Sequence, residues 1–271
     1  MKQFIRSILI LIVVSAYNVV YADTTLQSTI VVHNGDDVSN WSHSVAMVDD
    51  KLRITNVIFN DTIYDHSARN ITRMTTKHKV SMVMKWNHAE LMQKQWVASV
   101  RANLLNSAPE KQRQQMEAET LAKFSMIAKS PRLGPKIEVK DMGKTDTIDG
   151  YKCTYYVAYK DGNKDKEYCV ASWDYFPENE KLSELINGYS EFTNNVLNSF
   201  APVNNKMKND INNHIFRDVK QINGYPIVTR QFENDKLIYE VNLNNTSTRA
   251  VDKDSFTPPA DYKIIDLYKL P

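Results

Sequence analysis

The chain carries two cysteines, Cys153 and Cys169, and they flank a hairpin signal. The segment runs from Gly150-Tyr-Lys-Cys153 through Lys160-Asp-Gly162 to Tyr168-Cys169. A three-residue loop of Lys160, Asp161 and Gly162 places Gly162 where a left-handed backbone is needed, which glycine adopts without steric cost. Tyr159 then faces Asn163, and the same register carries Cys153 directly opposite Cys169. Opposed strand residues have Cα atoms about 4.5–5.5 Å apart, within the span of a disulfide. Closing a loop of this size stabilises by roughly 3 kcal/mol in the chain-entropy account. The chain has no Cys-x-x-Cys, and no histidine lies near either cysteine in sequence. A structural disulfide is therefore expected in preference to a redox or metal-binding pair.

The first 22 residues have the form of an export signal. Lys2 and Arg6 supply the positive start, Ile8–Val14 is a short apolar core, and Val20-Tyr-Ala22 fits a cleavage site before Asp23. The apolar run is well short of the ~20 residues that span a membrane. No cysteine follows the cleavage site to take a lipid. The expected mature chain is 23–271, periplasmic or secreted, with no transmembrane anchor after cleavage. Export also favours oxidised cysteines. The whole chain has 34 Lys+Arg and 32 Asp+Glu, and cleavage removes two of the basic residues and no acid. A balanced mature chain has no broad electrostatic pull towards nucleic acid or an anionic membrane.

Strand signals dominate the first part of the chain. Ser28–His33, Ser44–Val48, Leu52–Phe59, Thr62–Asp65, Asn70–Thr75 and Lys79–Trp86 follow at short spacing, with Asp49-Asp50 as a tight turn. In the last of these, Val80, Met82, Met84 and Trp86 alternate with other residues, marking one buried face. The period then becomes helical. Asn87-His-Ala-Glu90 reads as a capping box opening a helix with Ala89, Met92, Trp96, Val100 and Leu104 on one side. Ser107-Ala-Pro-Glu110 opens a second helix, ending near Lys129, with a wet face. A third is expected over 178–200, with Leu182, Leu185, Ile186, Tyr189, Phe192, Val196 and Phe200 as its stripe. Further strands are expected at Lys136–Lys140, Phe216–Gln221, Tyr225–Glu233, Lys236–Leu243 and Tyr262–Leu267, with turns at Asn223-Gly224 and Asn234-Asp235. The simplest fold is one α+β domain over 23–271, a long curved antiparallel sheet with about three helices covering one face.

Motifs for chemistry are missing. The six histidines form no His-Glu-x-x-His and no close pair. His43 with Asp49-Asp50, and Asp65-His66, read as solvated turn and strand residues rather than metal ligands. There is no Gly-x-Ser-x-Gly elbow, P-loop or Gly-x-Gly-x-x-Gly, and seven glycines leave little for phosphate cradles. Asp49-Asp50 and Glu117/Glu119 read as a turn and a wet helix face. No catalytic residue, metal or cofactor is expected, and the protein is not expected to be an enzyme. Met82, Met84, Trp86, Met92 and Trp96 gather at a strand-to-helix junction. They are either ordinary core or, with Val80, the wall of an apolar ligand cavity, since methionine suits surfaces that accept varied apolar partners.

Several segments, in order, resemble an uncharacterised family of exported bacterial proteins, a domain of unknown function placed near the lipoprotein-carrier (LolA-like) fold. They are TIYDHSARNITRMTTKHKVSMVM, the helical 92–127 region with Ala108-Pro-Glu-Lys-Gln-Arg113, Thr147-Ile-Asp-Gly-Tyr-Lys-Cys153, Asn223-Gly-Tyr-Pro226 and Phe256-Thr-Pro-Pro-Ala-Asp-Tyr262. The match spans roughly 28–267. The chain departs from the pattern in supplying Cys169 as partner to Cys153, and in Ala-Asp-Tyr where Gly-Tyr is commoner. The resemblance implies an incomplete β-barrel whose concave face is covered by helices and lined with apolar groups; relatives with that fold bind acyl chains or lipoproteins. The expected function is a soluble periplasmic binding protein for a lipid, acyl chain or other apolar ligand. The cavity would be formed by Val80, Met82, Met84, Trp86, Met92 and Trp96, and the protein would be a monomer. The alternative is an interaction module for another envelope protein, without a small ligand.

Overall fold

The computed structural model describes residues 23–35, 37–56, 61–86, 136–200 and 215–266. Six strands come first: β1 (Thr24–Asn34), β2 (Asp37–Val48), β3 (Lys51–Asn56), β4 (Asp61–Asp65), β5 (Asn70–Thr75) and β6 (Val80–Lys85). They form an antiparallel meander, each paired with the next. A second run contains β7 (Ile137–Ile148), β8 (Tyr151–Lys160) and β9 (Asn163–Ala171). Helix α1 (Asn179–Phe200) and the single turn α2 (Val219–Ile222) follow, then β10 (Tyr225–Glu233), β11 (Lys236–Thr248) and β12 (Lys263–Asp266). The strand order is β12-β6-β5-β4-β3-β2-β1-β11-β10-β9-β8-β7, one curved twelve-stranded sheet that does not close. The β1–β11 pairing joins the two runs, and β12 lies parallel to β6.

Turn chemistry sets much of this. Asp149-Gly150, Asp161-Gly162 and Asn234-Asp235 have positive φ at both residues. That is the signature of type I′ turns, whose twist matches that of the flanking strands. It also corrects the expected cysteine register. Asp161 joins Gly162 in a two-residue turn, so Lys160 faces Asn163. A bulge then inserts Asp165 between the pairs Tyr159–Lys164 and Ala158–Lys166. Cys153 consequently faces Ala171, and Cys169 faces Tyr155. The disulfide forms as expected but along this diagonal, with Cα atoms 5.3 Å apart.

The α1 stripe follows its period as far as Phe192, and the side chains of Val196 and Phe200 lie outside the described residues. Leu182, Leu185, Ile186, Tyr189 and Phe192 are buried in one cluster with Leu26, Val45, Leu52, Tyr64 and Ile71 of the sheet. Each such side chain contributes roughly 1.5–3 kcal/mol of transfer free energy. Polar contacts at the edge orient the helix: Lys181 pairs with Asp50, and His66 Nε2 lies 3.2 Å from Glu184. Gly188 permits the close approach, because a Cβ there would fall 2.7 Å from the Tyr64 hydroxyl. On the opposite sheet face Val48, Ile63, Met74 and Phe256 form a smaller cluster with Val251 and Tyr262. Arg53 ties that C-terminal segment down by donating to Ser255 O and pairing with Asp61.

Two helix expectations change. Among the described residues there are two α-helices rather than about three, and the helices expected over 87–104 and 107–129 lie outside the described residues. Residues 216–221, expected as a strand, instead form a turn entering α2. The edge strand β7 is largely exposed, with a bulge between Asp141 and Thr145 flanked by Lys140 and Lys144. Charge and a bulge blunt an edge against pairing with other chains.

Candidate functional site

Cross-strand register arranges the α1-bearing face in rows. Met47, Leu52, Tyr64, Ile71 and Met84 are successive partners in the first row. The helix rests here: Tyr64 meets Tyr189 and Phe192 at ring separations of 5.9 and 6.1 Å, and Trp86 meets Phe192 at 5.5 Å. The second row is Leu26, Val45, Ile54, Thr62, Arg73 and Met82. A third row holds Ser28 and His43 at one end and Thr75 and Val80 at the other. Burial falls along the second row: Leu26, Val45 and Ile54 are buried, whereas Thr62, Arg73 and Met82 are half-buried. Thr75 and Val80 are half-buried too.

The expected cavity residues therefore divide. Met84 and Trp86 pack against the main core beneath α1, the role of ordinary core residues. Val80 and Met82 lie on the second and third rows, away from the α1 contacts. Met92 and Trp96 lie outside the described residues. The most buried residue of β6 is Ser81, on the opposite face, between Met74 of β5 and Ile264 of β12. Alternation in the sequence identified one face of β6, but the strand's most buried residue lies on the other.

His43 overturns its expected solvation. It is 3% exposed, and burial pushes its imidazole down to about 4, so the ring is neutral. Its Nδ1 has no hydrogen-bond partner among the described residues. Ser28, its direct partner on β1, is also buried, and the Tyr225 hydroxyl lies beside the Ser28 hydroxyl.

A second polar group lies under α2. The bulge at Asp165 re-aims that carboxylate, so Asp165 and Lys166 are both buried. Arg217 lies 2.7 Å from Asp165 and makes a two-pronged pair with Asp218 at 2.7 Å on each prong. The Tyr168 hydroxyl donates to Asp218 at 2.5 Å. Burial works to raise the Asp218 carboxyl, but Arg217 outweighs it and holds the group below the usual range. Burial pushes the Lys166 ammonium down to about 7. The cluster clamps residues 216–222 onto β9. The sequence signal was a lysine in register with Tyr168 on a strand that otherwise looks half-buried.

A shallow cleft of about 460 Å³ is lined by Lys152, Thr154, Val170, Ser172, Asp174 and Tyr175. Ser172 and Asn179 both donate to Asp174, so its carboxylate is engaged in capping rather than presented to the cleft. Among the described residues no group of three or more His, Cys, Asp or Glu is placed to hold a metal. No helix among them is long and apolar enough to cross a membrane.

No protein-family pattern matches the chain, and no curated protein matches it. Solved structures give distant likenesses. PNGF-II is 10% identical, with a TM-score of 0.41 over 90% of this chain, and the chain spans 31% of that protein. The Pseudomonas aeruginosa MucA/MucB complex is 7% identical at a TM-score of 0.31, covering 89% of this chain and 58% of the other. A LolA superfamily protein from Nitrosomonas europaea is 7% identical at a TM-score of 0.27, covering 88% and 90%. Likenesses of this size assign neither a family nor an activity.

Proposed function

We propose that the protein is an exported, non-catalytic binding protein for a lipid or other apolar ligand, seated on the α1-bearing sheet face beyond the edge of α1. The observation that carries this is the change along one register row. The buried apolar residues Leu26, Val45 and Ile54 give way to half-buried Thr62, Arg73 and Met82, with Val80 alongside. Met82 and Val80 add apolar surface there, beside the polar Thr62 and Arg73, and apolar surface favours an apolar occupant because removing it from water releases roughly 25 cal/mol per Å². The export signal and the disulfide favour the periplasm or another oxidising compartment.

A fluorescent long-chain alkyl probe tests the proposal. The mature protein takes it up, Met82→Glu weakens uptake at least tenfold, and Met142→Glu, at an exposed site on β7, leaves uptake unchanged. No uptake by the unsubstituted protein, or equal uptake by both variants, contradicts it. One observation favours the alternative, an envelope protein-interaction module: Val38 and Trp41 are 59% and 39% exposed on the same strand. Capture of an envelope protein that is lost in Trp41→Ser, together with absent probe uptake, selects that alternative.

A further inference from the structure

The open cleft lined by Lys152, Thr154, Val170, Ser172, Asp174 and Tyr175 shares no residue with the apolar face proposed above. Trp173, Asp174 and Tyr175 form a single 3-10 turn between β9 and α1. Hydrogen bonds fix this turn: Ser172 Oγ accepts from the Asp174 backbone N–H, and Ser172 and Asn179 both donate to the Asp174 carboxylate. Behind the turn Phe176 is buried, stacked on Tyr151 at 5.7 Å and packed against Trp173 and Tyr225. Tyr175 is left 46% exposed, its ring edge-on to Tyr151 at 5.7 Å. The turn therefore presents a large ring in a fixed place on the wall of the cleft.

The opposite wall supplies hydrogen bonds. Lys152 and Thr154 belong to β8, and among the described residues the Lys152 ammonium and the Thr154 and Tyr175 hydroxyls have no hydrogen-bond or ion-pair partner. Val170, which is buried, adds a small apolar area. The two charges of the lining, Lys152 and Asp174, are of opposite sign. A singly charged ligand gains from one and loses to the other, whereas a neutral ligand that both donates and accepts avoids that cost. At about 460 Å³ the cleft has the size of a small-molecule site. It is shallow, however, and sites for apolar ligands bury most of the ligand surface. A hydroxyl-rich ligand keeps its outer side hydrated and needs no such enclosure. We propose that this cleft binds a neutral saccharide. One sugar ring packs its C–H face on Tyr175, while its hydroxyls accept from Lys152 and exchange hydrogen bonds with Thr154. Tyrosine suits such a wall, because it joins an apolar ring to a polar tip.

The experiment is saturation-transfer NMR on the protein purified from an exporting host, with cellotetraose and the tetramer of N-acetylglucosamine as probes, followed by titration of the probe that responds. Saturation should reach the ring protons of at least one of them. Tyr175→Ala should weaken its binding about tenfold, the scale of one lost aromatic contact. Tyr175→Phe should keep most of the binding, and Lys152→Ala should weaken it by a smaller factor. Trp41→Ser, which removes an exposed indole elsewhere on the sheet, should leave it unchanged. Tyr175 and Lys152 are both exposed, so these variants keep the fold, which their amide spectra check. No transfer to either probe, unchanged binding in Tyr175→Ala, or an equal loss in Trp41→Ser overturns the site. Tighter binding of glucuronate than of glucose overturns the neutral class. Uptake of the fluorescent alkyl probe, measured on the same samples, should not change in Tyr175→Ala, so either proposal can fail without the other.

Discussion

His43 is neutral in the folded chain down to about pH 4, whereas an exposed histidine protonates near 6.5. Between those values the unfolded chain binds the extra proton and the folded chain does not. Stability therefore rises with pH across the window 4 to 6.5, and this residue alone accounts for roughly 3 kcal/mol of that rise. Urea unfolding at stepped pH is expected to show a shallower acid loss in His43→Asn than in the unsubstituted protein. Parallel profiles would mean that the imidazole is solvated after all. The sequence showed that this histidine belongs to no metal motif, but not that it is buried. Its burial depends on β1 and β3 flanking β2, and on the face it shares with Val45, none of which is written in its neighbours along the chain. Arg217 and Asp218 eluded the sequence for a related reason. Their partners lie about fifty residues earlier, and a bulge turns Asp165 towards them.

At the scale of elements, period and turn residues were the most legible part. Tyr225–Glu233 and Asn70–Thr75 are strands over the expected ranges, and α1 begins one residue from its expected start. Register was harder to read. Asp161 adopts a left-handed backbone that a non-glycine residue takes at some cost, and this shortens the expected loop by one residue. The segment 216–221 was expected as a strand, yet Phe216, Val219 and Ile222, spaced three apart, anchor a turn and α2 to the core. The junction from α2 into β10 depends on Gly224. A Cβ at that position would lie 2.4 Å from the backbone oxygen of Ala171 and 2.6 Å from a Val170 methyl. Gly224→Ala must move one backbone against the other, so a loss of about 1–3 kcal/mol is expected in denaturant unfolding. A loss below 0.5 kcal/mol would show that β9 and β10 part more easily there than their pairing implies.

For the whole molecule, the sequence led to a curved antiparallel sheet with helices on one face, and the described residues form such a sheet. Local patterns show that strands exist and which turns link them. They do not show that β11 pairs with β1, or that β12 returns parallel to β6, because those contacts join segments about two hundred residues apart. The expected cavity rested on alternation along 80–86 and on a cluster of methionine and tryptophan. Methionine and tryptophan mark an adaptable apolar region, but the fold divides it, placing Met84 and Trp86 under α1 and leaving Val80 and Met82 beyond it. The most direct measurement of the central claim is native mass spectrometry of the protein purified from an exporting host without detergent, paired with lipid extraction of the same sample. The proposal predicts an added mass of a few hundred daltons that disappears on extraction and is recovered as an acyl lipid. A bare polypeptide mass, with no lipid recovered and none taken up on incubation, would contradict it.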